Sequence, residues 1–193
     1  IEILIKIFRT KKEKNFVLFT NYKIIKNFLN KKNIKIKLNI FNKNQYKKNY
    51  LNIYTFSAYS NEENSIKSIK YSYLETKKNN FIGLITLPLR KDLIIKKVLK
   101  NFSGHTEYLQ KLDGKKFSNM ILYHKNIIVS PLTTHIPIKS ISKQISKKDF
   151  IYNRIKSLHK TLQKDFGINN PKLIISGLNP HAGENGNIGL EEL

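Results

Sequence analysis

Residues 172–186 read KLIISGLNPHAGENG. The first seven, KLIISGL, are an apolar run of strand length. From Gly177 onward comes a loop built from a proline, a histidine, an alanine and three glycines: Gly177, Gly183 and Gly186. A loop that only connects can be made of any polar residues, so this composition points to a loop that places something. Glycine reaches backbone conformations closed to other residues, and Pro180 stiffens the step before His181. A buried strand ending in such a loop, with a helix expected near Gly189, is the arrangement of an open α/β sheet, where ligands bind at the carboxyl ends of strands. The loop is expected to hold the His181 imidazole at the sheet edge beside an acceptor, Glu184, and an amide, Asn179.

Outward from this stretch, strands and helices alternate. IEILIKIF at the start has helical spacing. FVLFT (16–20) reads as a short buried strand, and NYKIIKNFLNKK as a helix with Ile24, Ile25, Phe28 and Leu29 on one side. KIKLNIF (35–41) alternates polar and apolar, and LNIYTF (51–56) is a further strand. In SNEENSIKSIKYSYLE, Ser60 or Asn61 can cap a helix whose apolar side carries Ile66, Ile69, Tyr73 and Leu74. FIGLITLP (81–88) is expected to be a central parallel strand, and RKDLIIKKVL a helix. MILY and IIVSPL, separated by HKN, read as a hairpin with His124 in its turn. The longest helical pattern starts at SISKQIS and carries Ile151, Ile155, Leu158, Leu162 and Phe166, with Gly167 as its stop. The expected class is α/β, with an antiparallel part added by the hairpin.

At 193 residues the chain is long enough to bury a sizeable core, and 40% apolar with 11% aromatic content excludes a disordered polymer. There are no cysteines, which removes disulfides, thiolate metal sites and a cysteine nucleophile. IEILIKIF, interrupted by Lys6, is too short for a signal segment, and no run approaches the roughly 20 residues of a membrane span. A soluble, cytoplasmic protein without a membrane partner is expected. The net charge of +23 raises a nucleic-acid hypothesis. Two details argue against it. Only Arg9, Arg90 and Arg154 are arginine, the residue that phosphate and base recognition favours. The lysines also accompany abundant Asn, Ile, Tyr and Phe, the residues of A- and T-rich codons, so coding bias accounts for them.

Two more loops carry candidate chemistry. LTTHIP (132–137) ends an apolar run in Thr133, Thr134 and His135, locked by Pro137. Neutral imidazole is the commonest metal ligand, so His135 and His181 are candidates for one divalent cation; a satisfied polar residue at a strand end is the simpler alternative. SGHTEYLQKL (103–112) puts Ser103, Gly104, His105, Thr106 and Glu107 at a helix start, where free N–H groups suit a phosphate or carboxylate, or where the acid simply stabilises the first turn. His124 and His159 read as structural.

SGHTEYL, LTTHIP and GLNPHAGENGNIGLEE, in that order and with a long helix between the last two, resemble the 4-hydroxythreonine-4-phosphate dehydrogenases of pyridoxine biosynthesis. GLITLPLRK, with Thr86, Pro88 and Lys91, resembles the family's Thr-x-Pro-x-x-Lys turn. The resemblance implies an isocitrate/isopropylmalate-dehydrogenase-like α/β sheet with helices on both faces, present incompletely over 1–193. A first α/β part would run over about 1–100, a hairpin and dimerisation part over about 101–170, and the start of the next βα unit over about 171–193. It also implies a homodimer with a shared active site.

The implied reaction is NAD-dependent oxidation of 4-phosphooxy-L-threonine and loss of CO2 to give 3-amino-2-oxopropyl phosphate, a precursor of pyridoxal phosphate (vitamin B6). A divalent cation (Zn, Mg or Co) would be held by three histidines. By motif His135 and His181 are two of these, the third lying beyond the chain end. His105 and Thr106 match the substrate-binding pair, while Asn179, Gly183 and Glu184 support the loop; the NAD-binding residues are not identified. Leu87 and Arg90 stand where the family commonly has glycine and histidine. The resemblance thus implies a piece truncated at both ends and inactive alone. The alternatives are a paralogue acting on another phosphorylated hydroxy acid, a degenerate inactive fragment and, from a different class, a basic nucleic-acid-binding module.

Overall fold

Three short parallel strands, β1 (Val17–Phe19), β2 (Leu38–Ile40) and β3 (Leu51–Tyr54), form a sheet in the order β1-β3-β2. The register sets Leu18 beside Ile53 and Asn39 beside Asn52. This sheet belongs to the first of two compact units, Ile1–Gly114 and Lys115–Leu193. The computed structural model describes residues 1–10, 15–41, 45–78, 80–147 and 149–190.

In the first unit, α1 (Glu2–Thr10) and α2 (Tyr22–Lys31) cover one face of the sheet. Ile5 and Phe8 of α1, Ile25 and Leu29 of α2, and Leu51 and Ile53 of β3 make one buried cluster. Burying each such side chain stabilises the fold by about 1.5–3 kcal/mol relative to exposure. The other face carries Tyr54, which stacks on Phe19 at 4.7 Å and meets Tyr71 of α3 (Asn61–Lys77) at 6.3 Å. Helices on both faces are thus present, as expected. Sequence signals explain where they begin. The Asn21 side chain accepts the N–H groups of Lys23 and Ile24 to start α2. Ser60 Oγ accepts the Glu63 N–H at 3.1 Å while the Glu63 carboxylate accepts the Tyr59 N–H at 2.7 Å, a reciprocal cap on α3.

The run 81–88 does not form the expected strand. It has no ladder partner among the described residues, and Ile85 is 91% exposed. Phe81 packs on aromatic residues of this unit, 5.6 Å from Phe19 and 6.1 Å from Phe41. Beyond it, α4 (Lys91–Lys97) and α5 (His105–Leu112) pack on α3 through Ile66, Ile94 and Phe102.

The second unit holds an antiparallel hairpin, β4 (Leu122–His124) and β5 (Ile127–Val129), then a 3-10 turn (Ile138–Ser140), α6 (Ile141–Ile145) and α7 (Phe150–Lys164). His124 is the last residue of β4 and pairs with Ile127, so the turn is Lys125–Asn126, not HKN. The long helix is broken between α6 and α7. The segment SKKD offers no apolar side chain to continue the stripe, and Asp149 takes the left-handed conformation (φ 62°) that Asp tolerates better than most residues. Phe150 and Leu162 are buried, and Gly167 (φ 68°) turns the chain so that the Ile168 N–H reaches the Leu162 carbonyl at 3.0 Å. KLIISGL forms no ladder among the described residues, and Ile174 is 97% exposed; a strand needs a neighbour to pair with. The residues to 190 that follow the loop are not helical, and 191–193 lie outside the described residues. Among the described residues no helix is long and apolar enough to cross a membrane.

Candidate functional site

The candidate residues fall in both units: His105 and Thr106 in the first, His135, Asn179, His181, Gly183 and Glu184 in the second. His105 opens α5, with Gly104 as a cap residue that offers no side-chain bond, so the first turn keeps free N–H groups. The His105 ring is half-buried, and its Nε2 is buried with no hydrogen-bond partner. Such atoms are rare in folded proteins and mark a place where a partner is owed. Among the described residues the other is Nε of Arg154, whose guanidinium lies 5.2 Å from the Phe150 ring centroid and donates to the Ser118 carbonyl. Burial holds the Arg154 pKa below its usual value. In the sequence Arg154 stands out only as one of three arginines, and its place within the apolar stripe of α7 is the signal that it is partly buried.

His135 is exposed and itself left-handed (φ 57°), between half-buried Thr134 and exposed Pro137. His181 is reached through an Asn179 side chain that accepts the His181 N–H at 2.8 Å. Gly177 makes room for this turn, since a Cβ there would sit 3.1 Å from the Asn179 carbonyl oxygen. The chain then enters five consecutive left-handed residues: Ala182 (φ 47°), Gly183 (74°), Glu184 (45°), Asn185 (55°) and Gly186 (91°). Gly183, buried, and Gly186 take this conformation freely. Ala182 and Glu184 do not; about 1–2 kcal/mol each is the usual cost. The left-handed curl brings Glu184 back onto its own loop, with Oε1 2.9 Å from Nδ1 of His181. Nε2 of His181 meets no partner among the described residues.

Chemically, the arrangement presents exposed imidazoles in two loops. That donor set suits a divalent cation, and one imidazole already has its second nitrogen on a carboxylate, as metal-ligating histidines usually do. No group of three or more His, Cys, Asp or Glu that could hold a metal ion gathers among the described residues.

The sequence pattern of the family described as pyridoxal phosphate biosynthetic protein PdxA matches residues 11–193. A 4-hydroxythreonine-4-phosphate dehydrogenase from Sulfurihydrogenibium sp. is 41% identical over 130 residues, covering 67% of this chain and 38% of the relative. One from Neisseria meningitidis is 42% identical over 114 residues, covering 58% and 34%. The matched stretch therefore spans little more than a third of either relative. A solved 4-hydroxythreonine-4-phosphate dehydrogenase from Klebsiella pneumoniae superposes with a TM-score of 0.79 at 21% identity over 96% of this chain and 63% of that one. Another, from Burkholderia phymatum, gives 0.71 at 24% identity, over 91% and 57%. At these identities the structures speak for the fold alone, an α/β architecture with an antiparallel addition.

Proposed function

The chain belongs to the family of pyridoxal phosphate biosynthetic proteins, PdxA, and from that premise we propose that it works, within a polypeptide of its relatives' length, as an NAD-dependent dehydrogenase of 4-phosphooxy-L-threonine. With NAD bound as hydride acceptor, the carbon bearing the 3-hydroxyl would give up a hydride and the hydroxyl its proton; the β-keto acid so formed would lose CO2 and take up one proton at the carbon that carried it, giving 3-amino-2-oxopropyl phosphate. His105 and Thr106, at the start of α5, bind the substrate: the free N–H groups there suit a phosphate or carboxylate, and the orphaned Nε2 of His105 is a ready partner.

His135 and His181 hold two positions of a divalent cation (Zn, Mg or Co), the third ligand coming from outside residues 1–193. Bound there, the cation would supply Lewis acidity to the hydroxyl oxygen and to the product of decarboxylation. The chain's own residues do the placing. Asn179 and Gly183 shape the loop, and Glu184 meets the imidazole. A homodimer with a shared active site completes the reading. Its chief support is that His181 stands exposed with one ring nitrogen on Glu184 and the other free of partners among the described residues.

The test is turnover by a polypeptide of full family length that includes residues 1–193. With 4-phosphooxy-L-threonine, NAD and a divalent cation, NADH and CO2 should appear in equal amounts, and a chelator should stop both. No NADH with cation and cofactor supplied would overturn the reading.

A further inference from the structure

Backbone hydrogen bonds close the curl of residues 182–186: the Glu184 N–H donates to the His181 carbonyl at 3.0 Å, the Asn187 N–H to the Glu184 carbonyl at 3.2 Å and the Ile188 N–H to the Gly183 carbonyl at 3.1 Å. Two non-glycine residues without the local hydrogen-bonding side chain of Asn, Ala182 and Glu184, are held left-handed. The side-chain contact this curl adds lies in solvent: the His181 and Glu184 side chains are 64% and 49% exposed, and exposed pairs of this kind contribute little to a fold. Two left-handed non-glycine residues set around a side-chain contact of small stabilising value point to a functional demand on that contact.

The geometry says what that demand is. A neutral imidazole carries one proton and offers one lone pair, and the bond made by one nitrogen decides which is which. A carboxylate can only accept, so the nitrogen facing it must carry the proton. Resting on the cation reading above, we propose that Glu184 is a positioning residue: it accepts Nδ1–H of His181, fixes the Nδ1-protonated tautomer and ring orientation, and leaves Nε2 as the lone-pair donor to a divalent cation. Asn179 acts with it by accepting the His181 backbone N–H at 2.8 Å, so backbone and ring are both held.

The tautomer can be read without catalysis or metal. In the 193-residue chain with 15N-labelled histidine, at a pH where imidazole is neutral, long-range proton–nitrogen correlations should show His181 protonated at Nδ1. Glu184→Ala should return it to the mixture favouring Nε2–H that free imidazole shows. Glu184→Gln, whose amide oxygen can accept the same bond, should retain the Nδ1–H form. A His181 tautomer identical in wild type and Glu184→Ala would overturn the proposal.

The second readout is Co2+ affinity of the full-length polypeptide, expected to fall about 10–100-fold in Glu184→Ala and less in Glu184→Gln. Equal Co2+ affinity in wild type and Glu184→Ala would overturn the positioning role while leaving the cation reading intact. A tautomer that depends on Glu184 in a wild-type protein that takes up no Co2+ would instead overturn the cation reading and the ligand role of Nε2.

Discussion

Asn39 and Asn52 face each other across neighbouring strands, the Asn39 amide donating to Asn52 Oδ1 at 2.8 Å inside the first unit. Asn52 is fully buried and also accepts the Lys47 N–H and donates to the carbonyls of Lys47 and Tyr50. One side chain thus ties the loop before β3 to the sheet. Asn52→Ala orphans several of these groups, and unfolding in urea should show a loss of about 1–3 kcal/mol. A change below about 0.5 kcal/mol would mean that the loop re-forms its bonds without the amide.

The apolar runs separate packing from mere hydrophobicity. Ile53 is fully buried in the first core, so Ile53→Ala should cost about 2–5 kcal/mol. Ile85 and Ile174 are almost fully exposed, so Ile85→Lys and Ile174→Lys should stay within about 0.5 kcal/mol in the isolated chain and raise its solubility. Destabilisation by either lysine would show that the run is packed in solution.

Alkaline pH has a defined target. Tyr73 donates to Asp113, and its pKa is pushed up to about 12, first by burial and then by the bond to that carboxylate. The folded value lies above the ordinary 10.0, so the phenol's contribution to stability is complete below pH 10 and is lost as pH rises through about 12. Burial also raises the pKa of Tyr46 and Tyr108, so tyrosinate absorbance should show a late tail, and Tyr73→Phe should remove its component near pH 12. Its persistence in the variant would assign it elsewhere.

The two loop histidines should separate binding from folding. In the full-length polypeptide, His135→Ala and His181→Ala should each remove high-affinity divalent-cation binding in a calorimetric titration. Both rings are exposed, so the melting temperature without cation should scarcely move. A fall of several degrees in the cation-free protein would give the histidines a structural role instead.

The helices of the first unit were legible because their signals are local. Ser60 and Asn21 cap where their side chains can reach the first free N–H groups, and Ile66, Ile69, Ile25 and Leu29 repeat at helical spacing. FIGLITLP and KLIISGL, expected as strands, form no ladder among the described residues for the opposite reason. An apolar run states that a segment favours burial, but a ladder also requires a partner that the run does not name. The break before Phe150 depended on the backbone of Asp149, which the continuous stripe concealed. At the candidate site, glycine and proline announced a shaped loop and the sequence named Glu184 as the acceptor near His181. The sense in which the chain curls to join them is written only in dihedral angles.

That curl has a stereochemical consequence. From Ala182 to Gly186 every φ is positive, opposite in sign to an ordinary helical turn. Of two chains assembled by peptide ligation with alanine at position 183, the D-form should hold the positive φ of Gly183 more readily than the L-form, by about 1–2 kcal/mol. Chirality at a single carbon would then shift how often Glu184 returns to His181, with composition, charge and hydrophobicity the same in both.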